Sequence, residues 1–213
     1  MKYTFVGDIH GKVDQVKRAL DMDGQIIFVG DFMDSFDRNL EDHEECLKLV
    51  IGAIKVKKAR AIYGNHELSY IFPHHECSGW NLHRKMLMQR YCTEIRTLFE
   101  PYILLEPRVL ISHAGLTDQI WKGEKLSVKK LDIKLSQWWP DLGSPMHWIG
   151  LYRGGLDKVG GMFWCDWNAE FQPVKGLTQI FGHTVGAKIR QIEQSFCIDC
   201  LDHEHKFLHM EFE

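Results

Sequence analysis

The first third of this chain alternates strand-like and helix-like segments, and that rhythm narrows the possible folds more than any other feature. Lys2 to Val6 reads as a strand, Lys12 to Met22 as a helix and Gln25 to Val29 as a second strand. Leu40 to Lys58 follows as a long amphipathic helix and Ala59 to Tyr63 as a third strand. Strands joined by helical crossovers build a sheet with helices laid over it. A further helix is expected over Leu82 to Phe99, then strands over Tyr102 to Leu105 and Arg108 to Ser112. Beyond about residue 175 the chain becomes strand-rich, with runs at Thr178 to Phe181, Lys188 to Ile192, Phe196 to Ile198 and Phe207 to Phe212. With 45% hydrophobic residues over 213 positions, the chain can bury a full core, and it reads as one domain over 1–213.

Where these strands stop, polar residues cluster. Five short segments stand out: Gly7-Asp8-Ile9-His10-Gly11, Gly30-Asp31-Phe32-Met33-Asp34, Gly64-Asn65-His66-Glu67, Ser112-His113-Ala114-Gly115 and Gly182-His183-Thr184. Four of the five follow an apolar, β-branched or aromatic run. Each therefore places a polar side chain at a strand end, which is how distant sequence is gathered onto one rigid edge.

Composition excludes several functions. A formal charge of −3 gives no global basic field for nucleic acid or an anionic membrane. The N-terminus reaches Asp8 too early for a signal-peptide apolar region, and no run has the length of a membrane span. A cytoplasmic protein is expected, with its 6 cysteines as reduced thiols. Cys197-Ile198-Asp199-Cys200 spells C-x-x-C but lacks a second ligand pair for zinc.

The stretch between His113 and His183 breaks the strand-helix rhythm. It holds Trp121, Trp138, Trp139, Trp148, Trp164 and Trp167 together with Gly154-Gly155 and Gly160-Gly161. Residues 116–176 are read either as a cap that sets substrate specificity or as indoles filling a core.

Asp8, His10, Asp31, Asn65, His113 and His183 make a mixed oxygen and nitrogen donor set suited to divalent Mn, Fe or Zn. Six donors are too many for one catalytic ion with an open position, and suit two if a carboxylate bridges. Asp31 is the natural bridge. A centre of this kind stays positive and attracts a phosphate dianion.

The order and spelling of the five segments resemble the calcineurin-like metallophosphoesterases, specifically the phosphoprotein phosphatase type. That pattern runs G-D-x-H-G, G-D-x-x-D-R-G, G-N-H-E or G-N-H-D, a later H-A-G and a final G-H-T. Four are matched in full and the second in part, over residues 7 to 184. The resemblance implies an α+β (α/β) four-layer fold, with two mixed β-sheets packed together and flanked by helices. It implies two divalent ions, Mn first with Fe or Zn as alternatives. Asp8 and His10 would hold one ion, Asp31 would bridge, and Asn65, His113 and His183 would complete the ligands of the second ion, with Asn65 also meeting substrate phosphate. A hydroxide shared by the ions would attack phosphorus in line. His66 would be the general acid for the leaving oxygen, with Asp34 orienting its imidazole.

Simpler readings stand beside these. Asp34 also reads as a turn cap and Glu67 as a first-turn helix acid, whereas His74, His75, His203, His205 and His209 read as surface or strand residues. One departure concerns the second segment, where Ser35-Phe36 replaces the Arg-Gly that the resemblance calls for. Arg38 and Arg153 are the candidate phosphate-binding replacements. The expected activity is a metal-dependent phosphomonoesterase acting on a phosphoprotein, small phosphoester or nucleotide. The alternatives are a nucleotide pyrophosphatase or phosphodiesterase of the diadenosine tetraphosphatase kind, with indoles stacking a base, and a non-catalytic metal-binding scaffold. The final G-H-T lacks a second His of a G-H-x-H ending, which favours the monoesterase.

Overall fold

A computed structural model describes residues 1–72, 77–105 and 107–212, so His74 and His75 lie outside the described residues. Its first sheet has the strand order β3-β2-β1-β9. Here β1 is Lys2–Val6, β2 Gln25–Phe28, β3 Ala59–Ala61 and β9 Leu208–Glu211. The first three strands run parallel and β9 runs antiparallel to β1. The crossovers are helices α1, Val13–Leu20, and α2, Leu40–Lys55. A reciprocal capping box between Asn39 and Asp42 starts α2, tying orphan backbone donors at its first turn.

The second sheet has the order β4-β5-β6-β8-β7. Its strands are β4 Ile103–Leu105, β5 Val109–Ile111, β6 Thr178–Phe181, β7 Arg190–Ile192 and β8 Ser195–Cys197. The central strands β5, β6 and β8 are parallel, with β4 and β7 added antiparallel at the edges. Both sheets are therefore mixed, as expected.

Alternation along the strands explains how the sheets meet. Phe5, Ile27, Val29 and Ile62 from the first sheet and its strand ends share one buried cluster with Ile103, Val109, Ile111 and Ile180 of the second. Val6, Ile26 and Phe28 point the other way, into a cluster with Val16 and Ala19 of α1 and Leu47 and Val50 of α2. Burying one large aliphatic side chain contributes roughly 1.5–3 kcal/mol, so either face alone supplies a substantial drive to fold. Helices α3, Asn65–Ile71, and α4, Leu82–Leu98, complete the first half.

The segment after His113 is more ordered than its glycines and indoles suggest. It forms helices α5, Asp118–Trp121, and α6, Val128–Trp138, with two short turns at Pro145–His147 and Leu151–Arg153. Leu131 and Leu135 are buried on one face of α6 at the i, i+4 spacing. Trp121 is fully buried, Trp139 stacks on Tyr63 and Trp167 stacks on Phe171. No helix among the described residues is long and apolar enough to cross a membrane.

Candidate active site

The five polar segments all follow the carboxyl ends of parallel strands: β1, β2, β3, β5 and β6. Ligands of open α/β sheets gather at such ends, because successive crossovers leave a crevice there. The loops are locked together by backbone hydrogen bonds. Ile9 and His10 N–H both donate to Asp31 C=O, at 3.0 and 2.7 Å, and Gly182 N–H donates to His113 C=O at 2.8 Å.

Glycine is required where loop meets carboxylate. A Cβ at Gly64 would stand 2.0 Å from Asp31 Oδ1, and one at Gly182 would stand 1.9 Å from Asp8 Oδ1. Four residues of the polar segments adopt costly backbone: His10, Asp31, Asp34 and His183 all have left-handed φ, at 42°, 53°, 64° and 68°.

Glu67 holds this framework. It is fully buried and accepts from four backbone N–H groups: Gly64, Asp31, Phe32 and Met33. Burial pushes its carboxyl up to about 7, partly offset by those donors. A first-turn helix acid explains only the bond to Gly64. The signal available in the sequence was the fourth letter of the G-N-H-E segment; its bonds to the second segment depend on tertiary contact.

Four of the predicted donors converge. Asn65 Oδ1 lies 2.8 Å from His113 Nε2 and 3.0 Å from His183 Nδ1, and those two nitrogens are 3.2 Å apart. Asp31 Oδ2 is 3.3 Å from His113 Nε2. The opposite nitrogen, His113 Nδ1, meets Val29 C=O at 2.8 Å, which turns Nε2 toward Asn65 and Asp31. His10 is set the same way: Nδ1 donates to Met33 C=O at 2.7 Å, and Nε2 stands 3.7 Å from Asp31 Oδ2.

Two groups of possible ligand atoms result, His10 with Asp31 and His66, and Asp31 with His113 and His183. Asp31 belongs to both. Asp8 lies outside both groups, its carboxylate accepting from His183 N–H at 3.0 and 3.1 Å.

The electrostatics fit a cation. Burial opposes ionisation of Asp31, yet the imidazoles of His113, His66 and His10 hold its carboxyl well below the usual range. Burial and the neighbouring His113 hold His183 well below the ordinary imidazole range, in the neutral form that ligates metal. His113, by contrast, is raised against its own burial by Asp31, and its Nε2 and His183 Nδ1 both meet Asn65 Oδ1 at hydrogen-bond distance; a divalent ion bound among these donors would take the place of the His113 proton. The oxygen and nitrogen donors suit such an ion.

His66 stands beside this set. Its Nδ1 contacts Asp34 Oδ2 at 2.8 Å, and its ring meets His10 edge to face at 5.1 Å. Burial disfavours the imidazolium, but the charge of Asp31 and the Asp34 hydrogen bond outweigh it and push His66 up to about 9.

Of the two candidate arginines, Arg153 lies at the site, with Nη2 2.6 Å from Thr184 Oγ1 and 3.0 Å from Asp166. Arg38 lies beside its neighbour Asp37 and lines neither part of the cavity.

That cavity has an inner part of about 360 Å³, lined by His10, Asp31, Asn65, His66, Arg153 and Trp164 among others. It adjoins an outer part of about 670 Å³ reaching Phe36, Asp37 and Asp199. Asp199, which sequence reasoning passed over, is pushed up to about 7 by burial and by Asp31. A larger groove of about 930 Å³, lined by Arg60, Tyr102 and Trp139, holds none of the motif residues.

The calcineurin-like phosphoesterase family model matches residues 1–187. Two solved phosphatases share the fold. One is a cold-active protein tyrosine phosphatase, at 14% identity and TM-score 0.60, over 99% of this chain and 73% of that one. The other is a protein serine/threonine phosphatase from Saccharomyces cerevisiae, at 15% identity and TM-score 0.55, over 98% and 72% respectively.

Proposed function

The chain belongs to the calcineurin-like phosphoesterases, hydrolases of phosphoester bonds, and on that premise we propose that it is a phosphomonoesterase working with two divalent ions, Mn first. The observation that carries this reading is the pair of ligand groups sharing Asp31, with Asp34 in contact with His66. Asp31, His10 and Asp8 would hold one ion and Asp31, Asn65, His113 and His183 the other. Bound ions supply a nucleophile at neutral pH and offset charge on the phosphoryl oxygens.

The chain's own groups do the rest. Arg153, braced by Asp166 and Thr184, meets the phosphate, and Asn65 adds an amide beside it. His66 carries its proton on the cavity side and gives it to the leaving oxygen, and Asp34 keeps the ring aimed.

Residues 116–176 serve as the specificity segment, supplying Ile149, Arg153, Gly154, Gly155 and Trp164 to the wall. Trp164 is the only one of the six indoles there lining the cavity, and at 7% exposure it offers little face to a base, which disfavours the dinucleotide reading. Cys46, Cys92, Cys165, Cys197 and Cys200 are free thiols, which suits a cytoplasmic setting. Mn-loaded protein is expected to hydrolyse p-nitrophenyl phosphate faster than bis(p-nitrophenyl) phosphate. The reverse ratio rejects the monoesterase.

A further inference from the structure

Asp34 has two carboxylate oxygens, and only one is used by His66. Its side chain is fully buried and its backbone is left-handed, so nothing but its partners decides where the second oxygen points. That oxygen, Oδ1, accepts from Tyr70 Oη at 2.5 Å and lies 3.5 Å from Arg84 Nη1.

Arg84 comes from the first turn of α4 and is spanned across three loops. It donates through Nη1 to Gly79 C=O at 2.7 Å and through Nη2 to Ser35 C=O, the residue that stands where the family pattern has arginine. Its side chain is 14% exposed and lines neither part of the cavity, so it is not a substrate clamp. Tyr70, on the last turn of α3, is fixed in turn by a stack on Trp80 with ring centroids 6.1 Å apart.

We propose that Tyr70 and Arg84 are positioning residues for proton donation. They pin Asp34 Oδ1, which keeps Oδ2 on His66 Nδ1 and the protonated Nε2 facing the leaving oxygen. Without them a buried carboxylate oxygen loses its donors and turns to find others, and the imidazole turns with it. This inference rests on the reading of His66 as general acid. It adds that the guanidinium absent after Asp34 has a counterpart supplied from 50 residues on, acting on the acid rather than on phosphate.

The test varies the leaving group. A good leaving group departs without a proton, whereas a poor one needs it, so loss of aim shows only in the second case. The Mn-loaded full chain is assayed on p-nitrophenyl, m-chlorophenyl and phenyl phosphates as wild type, His66→Asn, Tyr70→Phe, Arg84→Met and Arg84→Lys. For Tyr70→Phe and Arg84→Met, kcat on phenyl phosphate is expected to fall about 10-fold or more, and on p-nitrophenyl phosphate less than about 3-fold, a fraction of the general-acid effect. Metal content should be unchanged, and Arg84→Lys should recover part of the loss.

Equal loss on all three esters with metal retained, or no loss, overturns the proposal. If Arg84→Met fails to fold, Tyr70→Phe, which keeps the ring stack, decides alone. A His66→Asn variant whose loss is also independent of leaving group removes the general-acid reading itself. A steep dependence for His66→Asn with none for the other variants removes only the positioning role.

Discussion

The floor of the site and its mouth are built by opposite rules. On the floor, Asp31, Asn65 and His113 are buried at strand ends, and glycines press against carboxylates at distances no other residue tolerates. At the mouth, the loop from Ser35 to Arg38 is open, with Phe36 93% exposed, and Arg153 sits among glycines on a short turn. The floor admits almost no substitution, because each side chain is fixed by backbone that another segment fixes. At the mouth the Leu151–Arg153 turn closes on its own backbone, with Arg153 N–H donating to Gly150 C=O, but the Arg153 head is set only by the side chains of Asp166 and Thr184. On the proposed reading, chemistry would sit where the fold is least adjustable and recognition where it is most so.

The comparison can be broken most severely at its centre. Asp31→Asn is expected to lower turnover by roughly 1000-fold or more and to reduce bound metal, measured by initial rates and elemental analysis, because both ligand groups include the Asp31 carboxylate. A variant that keeps two ions and most of its activity would remove Asp31 from the bridging role. Next, Glu67→Ala strands four buried backbone donors at once, and urea denaturation should show a loss of about 3–5 kcal/mol. A loss under 1 kcal/mol would mean the loops hold without it.

Third comes pH. In metal-free protein His66 is raised from 6.5 to about 9, first against burial, by Asp31 and Asp34. Its contribution to stability is therefore fully present below pH 6.5 and is lost as pH rises through about 9. Asp34→Asn weakens that upward shift, so the stability gap to wild type should narrow by about 1–2 kcal/mol across this window. A gap constant with pH would show that Asp34 does not control the His66 proton.

The smallest effects belong to the mouth. Arg153→Ala should raise KM for p-nitrophenyl phosphate about 10-fold, the cost of one charge-assisted contact, while Arg38→Ala should change it less than about 2-fold. The reverse order would move the phosphate contact to Arg38.

Much of the floor was legible in the sequence, because a strand's apolar run and the polar residue that ends it are local features. The helix α6 was equally present, as Leu131, Leu135 and Trp138 at helical spacing, but surrounding glycines and indoles masked it. What sequence could not carry is pairing between distant strands. Nothing local in Leu208–Glu211 says that it closes the first sheet against β1 rather than joining its neighbours β7 and β8 in the second. The same holds for Glu67 and Arg84, whose partners lie about 30 to 50 residues upstream. Arg153, the one of the two candidates that resembles an arginine many relatives carry between the fourth and fifth segments, is brought to the cavity by the turn at Leu151–Arg153, whereas Arg38 is not.

The left-handed backbone at His10, Asp31, Asp34 and His183 has one more implication. Each such residue costs about 1–3 kcal/mol relative to relaxed backbone, a cost met when the chain folds rather than when substrate arrives. The loops therefore enter every turnover already ordered, and binding need not freeze them. An enzyme built this way trades resting stability for a smaller entropic barrier at each encounter.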